Sequence, residues 1–181
     1  MDQLFEDIDQ LVSEMEIVEM IRSWYKPDNR YIQSVERISK NPFTLRGEFL
    51  VEGSSHLLGK LKHLAISETV LCVNQLERVA IAEFVAQGYV EEWGSLDPIK
   101  WSNSELGDEG LVIVQETVTF KDVIKPGKFT GILVLQEERK SSRGNYHLRF
   151  SFDFDHGKHV GEVRVCFIPG KAEGVNLEML K

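Results

Sequence analysis

Asn74 is the residue of this chain whose type and position most call for chemistry. It lies in the run His63-Leu64-Ala65-Ile66-Ser67-Glu68-Thr69-Val70-Leu71-Cys72-Val73-Asn74-Gln75-Leu76, inside a segment otherwise apolar enough to be a buried helix. Asparagine is a poor helix-interior residue, because its side chain competes with the backbone for hydrogen bonds. Its amide carries both a donor and an acceptor, so it can hold a water and a carbonyl oxygen together. The other role open to it is structural, an amide bonded across a dimer interface. Glu68 falls in the first turn, where an acid complements the helix dipole. A carboxylate can also activate water there. Asn74 follows Glu68 by about 240° of helix, so the two share no face within one chain. A dimer can bring them to one substrate. His63 precedes the helix and has three possible roles: capping it, touching a substrate, or orienting the loop. The free N–H groups of the helix start suit an oxygen-bearing ligand.

The remaining polar candidates carry weaker signals. Tyr25 stands in Trp24-Tyr25-Lys26-Pro27, where aromatic pairs at a helix end usually pack. His56 lies in the polar loop Gly53-Ser54-Ser55-His56-Leu57-Leu58-Gly59-Lys60. Asp155, His156 and His159 surround a hairpin turn and read as solvated groups rather than metal ligands. Cys72 and Cys166 sit in apolar runs without metal-site spacing, as buried free thiols would. No G-x-S-x-G, HExxH, P-loop or dinucleotide-binding pattern occurs. Neither a metal nor a cofactor is expected.

These residues need a scaffold. Leu4, Ile8, Leu11, Met15 and Val18 recur at helical spacing and predict an amphipathic helix over 3–24, closed by Pro27. Strands are predicted at Tyr31–Ser39 and Phe43–Glu52, with Asn41-Pro42 between them. The central helix runs from about Ser67 to Gln87 and ends at Gly88. It is apolar on most sides, so other elements must wrap it. Residues 88–110 form a long connection holding Trp93 and Trp101, either a lid or ligand contact, or a surface loop anchored by its tryptophans. Four strands follow, at Leu111–Phe120, Phe129–Glu138, Tyr146–Phe154 and Val160–Ile168. The strict alternation of Tyr146, Leu148, Phe150, Phe152 and Phe154 with polar residues marks one buried face. Pro126-Gly127, Gly144-Asn145 and Gly157 are the expected hairpin turns, making the last four strands antiparallel neighbours.

This order predicts an α+β chain: a single hotdog domain, a curled antiparallel sheet wrapped around one long central helix, with an extra N-terminal helix. The expected organisation is the N-terminal helix over 1–26, the hotdog domain over 27–169 and a loosely held tail over 170–181. The length of 181 residues suits one domain. A net charge of -8 argues against non-specific nucleic-acid binding. The acidic start resembles no signal peptide, and no apolar run is long enough to span a bilayer. A cytoplasmic protein is expected. Exposed sheet edges predict at least a homodimer.

The run from His63 through Glu68 to Leu71-Cys72-Val73-Asn74-Gln75-Leu76 resembles the helix start of the FcoT-like hotdog proteins. Gly53 and Tyr25 fall at matching positions, and the similarity is firm over about residues 47–85. The resemblance implies a long-chain fatty acyl-CoA thioesterase without a nucleophile. It implies that an asparagine, here Asn74, and a tyrosine, here Tyr25, handle the thioester; His63 and Glu68 stay catalytic candidates from their own positions at the helix start. His56, Leu57 and Leu71 become the expected substrate contacts. The family's second tyrosine falls at Leu57, beside His56, which departs from the pattern. The expected partner is a long-chain acyl-CoA or an acyl carrier protein thioester. Two rivals remain: a non-catalytic acyl-CoA-binding protein, which Leu57 favours, and a hydroxyacyl dehydratase working through His63 and Glu68.

Overall fold

The computed structural model describes residues 14–53, 62–104, 107, 109–169 and 176–181. His56, Leu57 and the first half of the expected N-terminal helix lie outside the described residues. Helix α1 spans Glu14–Trp24, and Pro27 opens a short 3-10 turn after it. Strands β1 (Ile32–Lys40) and β2 (Phe43–Val51) form a hairpin across a cis Asn41–Pro42 bond. Helix α2 spans Ile66–Ala86, and Gly88, at φ +68°, turns the chain out of it. The connection that follows contains a five-residue helix α3, Pro98–Ser102, whose start is capped by the Asp97 carboxylate. Trp93 and Trp101 are both buried, so they anchor this connection to the core. Strands β3 (Leu111–Phe120), β4 (Gly127–Lys140), β5 (Tyr146–Phe154) and β6 (His159–Phe167) complete the fold.

The six strands make one antiparallel sheet in the order β1-β2-β4-β5-β6-β3. The last four strands are therefore not neighbours in chain order. β3 pairs with β6 at the sheet edge instead of with β4, and Pro126-Gly127 is no hairpin turn. The link from β3 to β4 crosses the end of the sheet. Lys121 and Asp122 donate backbone N–H bonds to Lys158 O, at the β5–β6 turn. Ile124 is fully buried, and its carbonyl accepts from Leu64 N just ahead of α2. Burying Ile124 and satisfying its carbonyl hold the crossing in place.

The sheet curls around α2 because aromatic rings lie over its backbone. Gly47 and Gly131 face each other across β2 and β4. A Cβ on Gly131 would stand 2.3 Å from the Phe154 ring and 3.0 Å from Phe49, so only glycine admits both rings. The Phe49, Phe129 and Phe154 rings cluster with centroids 5.3–5.9 Å apart. Val73, Leu76, Ala80 and Phe84 of α2 pack into the same core as the inward rows of β2, β5 and β6.

Candidate functional site

α2 is not covered equally on all sides. Most of its residues are buried, but Ser67, Val70, Leu71, Asn74 and Arg78 are only half-buried. At about 100° per residue these fall within a single stripe along the helix. Asn74 is central to it, Leu71 lies one turn earlier, and Arg78 one turn later. The stripe is the part of the helix that the sheet leaves open.

Asn74 Oδ1 is buried and has no hydrogen-bond partner among the described residues. Glu77, one turn on from Asn74, is fully buried, and neither of its carboxyl oxygens has a partner among them. Arg78 lays its guanidinium over the Trp24 ring, 3.1 Å from the centroid, and keeps Nη1 unpartnered among the described residues. Trp24 in turn donates its ring N–H to Ser102. This packing brings the end of α1 against the turn of α2 that follows Asn74. Tyr25 therefore lies beside Arg78, Glu77 and Cys72. Burial is the main cause that pushes its hydroxyl up to about 12, against the pull of Arg78. Glu116 of β3, whose charge bears on Glu77, has a buried Oε1 without a partner among the described residues.

The pKa values follow from this setting. Burial pushes Glu77 up to about 8; Arg78 opposes the shift and the charge of Glu116 adds to it. Burial alone pushes Glu116 up to about 7. Each carboxyl is costly to ionise in apolar surroundings without a full set of donors.

Glu68 stands on the other flank of α2. It is fully buried, one oxygen accepts from the Ser67 hydroxyl at 3.0 Å, and its charge bears on Tyr31 and Cys72. His63 is exposed and does not cap the helix. Ala65 is the N-cap residue and has no side-chain cap hydrogen bond; the Thr69 hydroxyl donates to its carbonyl at 3.2 Å. The first-turn N–H groups are thus free of a side-chain cap. His63 lines an open cleft of about 520 Å³ at this end, with Ile66, Phe120, Lys121 and His159. His159 is not a solvated hairpin group. It is buried, its Nδ1 lies 2.9 Å from the Thr69 hydroxyl, and its ring meets Phe120 edge-on at 4.5 Å. β6 begins at His159, which points it inward. Burial lowers its pKa, so its neutral form is favoured. Among the described residues no cluster could hold a metal ion.

The structure thus brings Asn74, Tyr25 and Leu71 to one flank of α2. Glu68 is on the opposite flank and His63 at the helix start. Sequence reasoning missed Glu77, Arg78 and Glu116. Two signals pointed to them. Glu77 follows Asn74 at helical spacing in a segment with few charges. Glu116 interrupts the apolar row Val112, Val114, Val118 and Phe120.

A curled six-stranded antiparallel sheet closed on one long helix is a hotdog domain, with its polar groups gathered where the sheet leaves that helix open. The chain belongs to the FcoT-like thioesterase domain family, whose model matches residues 20–167. That membership carries a thioesterase-like function. Among solved structures, AziG from S. sahachiroi is 16% identical, with a TM-score of 0.43, covering 76% of this chain and 90% of its own. A mutant thioesterase from Pseudomonas aeruginosa is 8% identical, with a TM-score of 0.48, covering 76% and 81%. A Staphylococcus aureus protein in complex with CoA is 13% identical, with a TM-score of 0.40, covering 70% and 69%. No curated protein matches the chain. No helix among the described residues is long and apolar enough to cross a membrane.

Proposed function

We propose that the chain hydrolyses long-chain fatty acyl thioesters, with acyl-CoA or an acyl carrier protein thioester as substrate. The observation that carries this reading is the open stripe of α2. It offers an amide oxygen without a partner among the described residues, beside Leu71 and Val70, on a helix whose other sides are enclosed. A long acyl chain has an apolar path along Leu71 and Val70. Asn74, aided by Tyr25, holds the attacking water or the carbonyl oxygen. The uncapped N–H groups at the start of α2 polarise the thioester carbonyl, as an oxyanion hole does.

These two functions cannot meet within one chain. Asn74 lies eight residues beyond Ile66, about 12 Å along the axis at roughly 1.5 Å per residue. A second copy resolves this. β3 is a sheet edge with Val112, Ile113 and Val114 exposed, a surface suited to pairing with the same edge of another chain. For the two functions to meet, association there must set the helix start of one copy against Asn74 of its partner. We therefore expect a homodimer in light scattering.

Release of free CoA from acyl-CoA substrates of increasing length tests the reading. Turnover is expected, with KM falling as the chain lengthens, by about 0.8 kcal/mol per buried methylene until the channel ends. Tight binding of palmitoyl-CoA without release of CoA would instead make this an acyl-CoA-binding protein, in keeping with Leu57 at the position of the family's second tyrosine.

A further inference from the structure

We propose that Glu77 of α2 and Glu116 of β3 form the proton-handling carboxyl pair of the thioester site. The ionised member takes a proton from the water that attacks the thioester. The inference rests on the thioesterase reading above and assigns a role that the Asn74–Tyr25 pair leaves open.

Buried polar atoms nearly always have a partner. Among the described residues several on this flank do not, and they sort by chemistry. Asn74 Oδ1 and both oxygens of Glu77 are acceptors on α2, and Glu116 Oε1 is an acceptor on β3, with the charge of Glu116 bearing on Glu77. Arg78 Nη1 is a donor. Water complements such acceptors, because it presents two protons at once and can be aimed by them. The unpartnered acceptors thus match the water end of an attack on a carbonyl, whose oxygen the helix start of the second copy receives. Glu68 does not fit this role. Its Oε2 accepts from Ser67, and although its Oε1 has no partner among the described residues, it lies on the opposite flank, beside Tyr31 and Cys72.

The charge state suits the task. With Glu77 raised to about 8 and Glu116 to about 7, both carboxyls titrate around neutrality. The groups facing them do not compete for the water's proton. Tyr25, pushed up to about 12, stays protonated, and burial drives the Cys72 thiol upward too.

The step balances as ordinary hydrolysis. The water oxygen bonds to the carbonyl carbon while its proton passes to the carboxylate. The carbonyl π pair moves onto oxygen. Collapse of the intermediate reforms C=O and breaks the C–S bond. The sulfur leaves with the bond's electron pair and receives the proton from the pair, giving a carboxylic acid and a free thiol.

The experiment follows CoA release from palmitoyl-CoA across about pH 5 to 9 for the wild type, Glu77→Gln, Glu116→Gln and a control, Glu83→Gln. Glu83 is also a buried carboxyl raised to about 7, but it is paired with Arg37 at 3.5 Å, two turns from the site. The wild type and Glu83→Gln are expected to share a pH limb near neutrality. Glu77→Gln and Glu116→Gln should lose it, with kcat down roughly 10²–10⁴-fold and KM nearly unchanged. Full kcat with the limb intact in both variants overturns the pair while leaving the thioesterase reading standing. A wild type that releases no CoA overturns both. An infrared readout needs neither variant of the pair to fold. In Glu83→Gln, a protonated-carboxyl band should be present at about pH 6 and fade by about pH 9. Its absence at about pH 6 overturns the proposal.

Discussion

Asn74 and Gln75 are adjacent on α2 and carry the same amide, yet the fold treats them in opposite ways. Gln75 is fully buried and uses both ends of its side chain. Its Oε1 accepts from Tyr31 N at 3.0 Å and Ile32 N at 2.9 Å, and its Nε2 donates to Asn29 O at 2.5 Å. It thereby ties the entry of β1 and the preceding 3-10 turn to the helix. Asn74, rotated by about 100°, meets the open stripe, and its oxygen has no partner among the described residues. The difference separates structure from availability. A buried amide whose oxygen and nitrogen are both engaged holds the fold, whereas one with an idle acceptor can receive a ligand.

The largest effect is expected at Gln75. Gln75→Ala strands two buried N–H groups and one carbonyl, which should cost about 3–6 kcal/mol and lower the melting temperature by roughly 2–4 °C per kcal/mol. A change of only a degree or two would show that Gln75 is not the tie described here. Next comes Asn74→Ala. Thioesterase rate should fall about ten- to a thousandfold, equivalent to about 1.4–4 kcal/mol of barrier, with little change in melting temperature. If Asn74→Ala unfolds the chain or splits a dimer, both amides are structural and the contrast between them disappears.

Much of this contrast was legible in the sequence, but not its partners. The strand limits matched closely, because alternation at residues 146–154 and the turn residues around it are local signals. The central helix began one residue earlier than expected, at Ile66. Asn74 stood out as a polar residue in an apolar helix. The pairing of β3 with β6 did not show, because Pro126-Gly127 has the composition of a hairpin turn while the crossing depends on burying Ile124, a tertiary effect. Glu116 was hidden for a related reason. Its inward position follows from an irregularity in β3 pairing between Ile113 and Gln115. His159 looked solvated beside its turn, yet its partner Thr69 is ninety residues away in sequence. Contacts of that kind are set by how the sheet closes on the helix.

The smallest expected effect sharpens the contrast through pH. Glu77 lies on the Asn74 flank, with both oxygens unpartnered among the described residues, and burial raises its folded-state pKa from 4.5 to about 8. The folded chain therefore holds this proton to higher pH than the unfolded chain does. The associated stability is fully present below about pH 4.5 and is lost as pH rises through about 8. Glu77→Gln removes the titration but keeps the shape. Relative to about pH 5, its advantage over wild type at about pH 9 should be about 1–3 kcal/mol, after discounting for relaxation and water around a buried charge. Chemical denaturation at the two pH values measures this directly. Gln75→Ala should leave the pH dependence of stability as it is in the wild type, because no titrating group is lost on that side of the amide pair. Equal slopes with pH for wild type and Glu77→Gln would mean that the Asn74 flank is as well satisfied as the Gln75 flank, and the distinction between a holding side and a working side of α2 would fail.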